Sequence, residues 1–272
     1  MKQPSFKIYA TLLDSYYNYL NSDEVWETYW GNSATPPHTK EEFGKLQFQS
    51  IIDRINRVPF DSEAADKGTA FNEVIDCLIL NEQSDKIKVE KAYREIVYGA
   101  TDEIGKPIYC DVEYTGEVIG LNVTYNNRTF LFPLDVCREF QDYYKGAIPQ
   151  VFTSATLNTK YGEVLLYGYI DELMPTSVHD IKTTGNYDFP KFKDHFQHLV
   201  YPYCLIQNGM DISKFEYNIL CWKDMQTYTE TYLFNPERDI PILTDFVEDF
   251  ITFLNDNKQL ITDKKIFGGE ND

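Results

Sequence analysis

No segment of this 272-residue sequence is a long uninterrupted apolar run, which excludes a membrane-spanning helix of about 20 such residues. Cysteine is sparse. Cys77, Cys110, Cys137, Cys204 and Cys221 are odd in number, scattered and without C-x-x-C spacing, so neither a disulfide framework nor a zinc site is expected. The first twenty residues lack the apolar core and small-residue cleavage site of a signal peptide, and a cytoplasmic protein without membrane contact is expected. Basic residues are the minority, 25 Lys and Arg against 43 Asp and Glu. The resulting charge of −18 excludes broad attraction to polyanions, so any contact with nucleic acid has to come from a local site. No Gly/Ser or Pro tract separates compositionally different halves.

What is present is enough to build a sizeable core: 43% of residues are hydrophobic and 15% aromatic. A single domain over 1–272 is expected, with a helical extension at 1–60, a core at 68–235, and a C-terminal helix and tail at 236–272. Tyr9, Leu12, Leu13, Tyr16 and Leu20 recur at helical spacing, and Pro36 and Pro37 break that region. A second helix is expected from near Gly68 through Leu78. From Lys88 to Pro133 the pattern turns to β structure, with Tyr125-Asn126-Asn127-Arg128 as a hairpin turn. A short helix near 134–144 follows, then strands at 151–157, 164–173 and 178–182. An amphipathic helix is expected over 189–207. Strands at 215–222 and 228–234 precede a last helix, opened by Asn235-Pro236-Glu237. This order predicts an α/β fold with a central mixed sheet flanked by helices.

The segment Gly168 to Lys182 carries the chemistry. Folded as a hairpin centred on Pro175-Thr176, it sets Asp171 opposite Asp180. Like charges across a strand pair are destabilising, so this placement calls for a compensating cation, and oxygen donors suit Mg²⁺ or Mn²⁺. Asp180 and Lys182 are two residues apart and share one face of a strand, with Ile181 on the other. A cation that neutralises phosphate oxygens and acidifies water, beside a Lys that orients that water, is what phosphodiester hydrolysis requires. Gln197 and Tyr201 lie one helical turn apart, as do Gly68, Asn72 and Asp76.

Gly68-x-x-x-Asn72-x-x-x-Asp76, Gly168-x-x-Asp171, Asp180-x-Lys182 and Gln197-x-x-x-Tyr201, in that order, resemble the motifs of the RecB-like branch of the PD-(D/E)xK nuclease superfamily. The resemblance spans 68–201, about half the chain. It implies a restriction-endonuclease-like core and hydrolysis of DNA, exonucleolytic and of recombination, repair or phage type. It further implies metal ligation by Asp76, Asp171, Asp180 and the Ile181 carbonyl, a catalytic Lys182, and positioning by Gln197 and Tyr201. Some relatives hold an iron–sulfur cluster through one early and three late cysteines, but no cysteine follows Cys221 and no cluster is expected.

The first motif departs from the family. Asn72 stands where His is usual and Asp76 where Glu is usual, and Asn is a poorer metal ligand that cannot titrate. Asn72, Lys191 and Lys193 are the expected substrate contacts. Lys191 and Lys193 belong to a basic stretch interleaved with Tyr187, Phe189, Phe192 and Phe196, a mixture that suits a phosphate-tracking, base-stacking groove or, alternatively, a helix with its aromatics in the core. His179, His195 and His198 lack the spacing of a metal triad. The expected partners are single- or double-stranded DNA ends and a helicase or recombination protein that delivers them. Two other readings stay open: a nuclease fold that has lost catalysis and serves binding or assembly, and an acidic DNA mimic, which leaves the ordered motifs unexplained.

Overall fold

The computed structural model describes residues 4–101 and 106–268. In chain order the elements are β1 (Phe6–Tyr9), α1 (Ala10–Leu20), α2 (Ser22–Trp30), α3 (Lys40–Ile55), α4 (Glu63–Leu80), β2 (Lys88–Thr101), β3 (Pro107–Tyr125), β4 (Arg128–Pro133) and α5 (Leu134–Tyr143). They continue with β5 (Ile148–Thr159), β6 (Gly162–Leu173), β7 (Ser177–Thr184), α6 (Gln197–Gln207), β8 (Lys214–Cys221), β9 (Gln226–Leu233) and α7 (Pro236–Asp256). The chain is α/β and divides into two compact units, one of residues 1–60 with 148–272 and one of residues 61–147. No Gly/Ser or Pro tract marks this boundary in the sequence.

The first unit is built on a mixed sheet in the order β1-β6-β7-β8-β9, with β5 along the other edge of β6. β1 runs parallel to β6 and β7 parallel to β8, while β5–β6, β6–β7 and β8–β9 are antiparallel. Helices α1, α3, α6 and α7 flank the sheet, and their apolar faces close one core through Leu13, Ile51, Val200 and Phe250 against Leu166, Val178 and Phe215. Sequence periodicity predicts helix here, but Phe6 and Ile8 are buried and alternate with half-buried Lys7 and Tyr9, so the segment is strand β1. Four residues are too few for a period of two to stand out against the helix that follows. Pro36 and Pro37 fall between α2 and α3, and α3 opens with a reciprocal capping box between Thr39 and Glu42. The Asn235 side chain caps α7 at the Glu237 N–H, 3.0 Å, with Pro236 in the first turn, as predicted.

The helix expected over 189–207 is shorter: α6 starts only at Gln197. Pro190 disfavours a helical Phe189. The amides of Lys191 and Phe192 donate to the Glu230 carboxylate, at 2.7 and 3.1 Å, and the Phe196 amide to Asp14 Oδ1 at 2.6 Å. The Phe196 amide, which a continuous helix would bond to the Phe192 carbonyl, thus goes to a carboxylate distant in sequence, while Glu230 anchors the amides ahead of it, and together they hold 185–196 as an ordered connection.

The second unit pairs an antiparallel sheet, β2-β3-β4, with α4 and α5. The predicted turn closes β3 onto β4, with Asn126 and Asn127 both at positive φ, 47° and 61°. Phe71 of α4 meets Phe132 and Phe140 edge to face in the core of the unit. Ser62 caps α4 by accepting the Ala65 amide, so the helix starts ahead of Gly68.

Candidate active site

The β6–β7 hairpin has the predicted register. Glu172 pairs with His179 and Leu173 with Val178, and the Met174 amide donates to the Ser177 carbonyl across the turn, 2.9 Å. Continued one step, this register sets Asp171 against Asp180. At that step the backbone ladder ends and a side chain replaces it: Asp171 Oδ2 accepts the Ile181 amide at 2.9 Å. The N–H and C=O of one strand residue leave the same edge, so the Ile181 carbonyl also points toward the Asp171 side.

Asp180 is buried, with 1% of its surface exposed, and this decides against a surface ion pair. Its Oδ1 accepts a hydrogen bond from Gln197 Nε2, and its Oδ2 lies 2.6 Å from Lys182 Nζ. Gln197 Nε2 is also 3.5 Å from the Tyr201 hydroxyl. Residues from two of the recognised patterns, Asp180-x-Lys182 on β7 and Gln197-x-x-x-Tyr201 on α6, are therefore in direct contact. A third joins them at Gly168, where a Cβ would lie 2.6 Å from Tyr201 Cε1 and 2.9 Å from its hydroxyl. Glycine at 168 is what lets the buried Tyr201 ring lie against β6, and with it the helix that carries Gln197.

Charge sets the state of each group. Burial works against the ammonium of Lys182, yet the negative charges of Asp180 and Asp171, with Asp14 behind them, outweigh it and hold the Lys182 pKa above its ordinary value. Lys182 is accordingly a cation and a hydrogen-bond donor, not a neutral base. Its Nζ also stands 5.8 Å from the centre of the Tyr217 ring. The Tyr201 and Tyr217 hydroxyls are pushed to higher pKa by burial and then by the Asp180 charge, so both stay protonated.

Asp14 was not expected here. It lies on α1, is buried, and accepts the Phe196 amide, with His195 Nδ1 3.3 Å from its Oδ2. Its sequence signal is an acid set among the apolar positions Leu12, Leu13 and Tyr16. Asn72 and Asp76 lie one turn apart on α4, half-buried and buried, and belong to the other unit. Glu73 beside them is engaged by Ser84 and Lys86. Lys191 and Lys193 are exposed; Lys191 Nζ donates to Thr184 Oγ1 and the Asn186 carbonyl, both at 2.6 Å, and Lys193 lies 3.9 Å from Asp194.

Of the aromatics near those lysines, Phe192 and Phe196 are core residues, Tyr187 stacks on Tyr228 at 4.4 Å, and Phe189 is exposed. The three histidines also have separate surroundings. His179 is buried between Ser177 and Asn218, His195 faces Asp14, and His198 stacks on Tyr232 at 4.3 Å. Among the described residues no three His, Cys, Asp or Glu side chains are grouped to hold a metal ion, and no helix is long and apolar enough to cross a membrane.

No protein-family model matches the chain, and no curated protein matches it. Among solved structures it is similar to the one titled "Crystal structure of SSO0001", at 16% identity and a TM-score of 0.34. The alignment covers 43% of this chain and 56% of that one, so the chain spans little more than half the length of that structure. A TM-score of this size assigns no fold.

Proposed function

We propose that this chain is a divalent-metal-dependent nuclease with a restriction-endonuclease-like core, which hydrolyses DNA phosphodiester bonds from strand ends. The observation that carries the reading is the buried contact of Asp180 with both Lys182 and Gln197, beside Asp171 and Tyr201. A buried carboxylate bonded across two separate motifs, with an ammonium at its second oxygen, is a costly arrangement for a purely structural purpose.

The residues fit a hard cation in kind. One ammonium, Lys182, sits in the field of the Asp180, Asp171 and Asp14 carboxylates, so negative charge outweighs positive around it. Asp171, Asp180 and the Ile181 carbonyl offer only oxygen donors. Two carboxylates completed by water suit Mg²⁺ or Mn²⁺, and this set does not need a third acidic side chain. When bound, such an ion supplies charge neutralisation at the phosphate and a more acidic water. The protein's own groups do the rest. Lys182, held protonated, donates to the attacking water or to a non-bridging oxygen as charge develops there. Gln197 fixes the Asp180 carboxylate, and the neutral Tyr201 hydroxyl, seated on Gly168, fixes Gln197.

A second reading, a nuclease fold that binds without cutting, is favoured by one observation. Lys182 and Gln197 already engage both oxygens of Asp180, so the carboxylate is paired without a metal. Cleavage of end-labelled single- and double-stranded linear DNA at low salt with Mg²⁺ or Mn²⁺, wild type against Lys182→Ala, separates the two. Metal-dependent cleavage lost in the variant is the expected result, and its product ladder gives the direction of digestion. Wild-type protein inert with both metals would refute the nuclease reading in favour of the binding one.

A further inference from the structure

Strand β6 carries Tyr167 and Tyr169 on the face that, two residues on, presents Asp171. Across the sheet Phe152 of β5 pairs with Tyr169, ring centres 5.2 Å apart, and lies 6.5 Å from Tyr167. On the other edge Tyr9 of β1 pairs with Tyr167, with ring centres at 6.0 Å. The result is a contiguous aromatic strip on three strands. Phe152 is 53% and Tyr169 60% exposed, which a core role does not explain. Two cations flank it: Arg54 acts on the Tyr9 hydroxyl and Arg57 on those of Tyr9 and Tyr167. Both are exposed, and Arg57 keeps a 3.5 Å ion pair with Asp263. In a chain with a charge of −18, two arginines set beside an exposed aromatic strip are a local exception.

We propose that Phe152, Tyr169, Tyr167 and Tyr9, with Arg54 and Arg57 at their border, form a stacking platform for single-stranded DNA that leads the strand toward Asp171. Unpaired bases stack on exposed rings whatever their sequence, whereas bases inside a duplex have no free face. The arginines match the phosphates and can also lie flat on bases. Asp171 lies about 7 Å beyond Tyr169 along the strand, the rise of two residues, so a strand held on the rings is delivered next to the carboxylates. This inference rests on the nuclease reading for what happens after binding, but not for binding itself.

The test measures binding of fluorescein-labelled oligo(dT) by anisotropy, in EDTA at low salt, for wild type, Phe152→Ala, Tyr169→Ala and the double variant. In parallel, Mn²⁺-dependent hydrolysis of bis(p-nitrophenyl) phosphate is followed, an ester too small to span the strip. Each substitution weakens oligo(dT) binding by on the order of tenfold, and the double variant by more, while hydrolysis of the small ester is kept. Both side chains are more than half exposed, so the variants fold. Unchanged oligo(dT) affinity in the double variant overturns the platform. So does a wild-type protein that ignores oligo(dT) but self-associates in sedimentation through the same two residues. Wild type that binds oligo(dT) through the rings and hydrolyses no ester leaves the platform standing and counts against the nuclease reading.

Discussion

Gly168 offers the sharpest test of how the site is assembled. Gly168→Ala places a methyl group 2.6 Å from Tyr201 Cε1, where a carbon contact needs about 3.5 Å or more. The ring cannot yield freely, because Tyr201 is 4% exposed and packs against Phe215 at 6.4 Å. Over-packing of this kind costs about 1–3 kcal/mol. In a Tyr201→Ala background the obstacle is gone, and Gly168→Ala becomes neutral or stabilising by up to about 1 kcal/mol, because alanine restricts the unfolded chain. The sign of the substitution thus depends on the partner. Urea unfolding of wild type, both single variants and the double variant measures the coupling, expected to be 1 kcal/mol or more. Equal effects of Gly168→Ala in both backgrounds would refute the steric account. The same cycle followed by DNA cleavage is informative, since a displaced Tyr201 also releases its contact with Gln197 and through it Asp180.

Three further outcomes are expected. Saturating Mn²⁺ raises the melting temperature of wild type, by about 2.7 kcal/mol of stabilisation at a hundredfold excess over Kd, and Asp180→Asn removes the shift; a shift kept in the variant places the ion elsewhere. Burial pushes the His198 pKa from 6.5 down to about 4, so the folded state favours the neutral ring. Its stabilising contribution, up to roughly 3 kcal/mol, is therefore complete above pH 6.5 and lost as pH falls toward 4. His198→Phe should flatten the stability profile in that window, and an unaltered slope would assign the acid sensitivity to other groups. Glu230 is 1% exposed and accepts the amides of Lys191 and Phe192 and the Tyr232 hydroxyl, the last at 2.6 Å. Glu230→Ala leaves these donors, of which the Phe192 amide is buried, without their acceptor, with a loss of about 1–3 kcal/mol for each that water does not reach. Amide exchange at 185–196 should quicken before that at β8, and uniform quickening would argue against a local anchor.

The hairpin was legible in the sequence because its information is local. Two apolar-alternating runs and a turn fix a register by counting, and that count alone brings Asp171 opposite Asp180. Ile181 shows why the same count is not sufficient. Its amide is bonded by a side chain, so the backbone ladder ends where it was expected to continue, and Asp171 turns toward β7. The start of α6 was not legible for the opposite reason. Periodicity over 189–207 does resemble a helix, but Pro190 disfavours a helical Phe189 and the Phe196 amide, which the helix would bond internally, goes to Asp14, more than 180 residues away, while Glu230, nearly forty residues away, anchors the amides between. Those distant carboxylates have a consequence for the site. Because Asp14 holds the Phe196 amide at the threshold of α6, it sets where Gln197 enters the helix, and its charge adds to those that keep Lys182 protonated. One acid among the apolar positions of α1 therefore couples the packing of the first helix to the electrostatics of the candidate centre. No motif spacing discloses that link, since spacing records only what neighbours in sequence can reach.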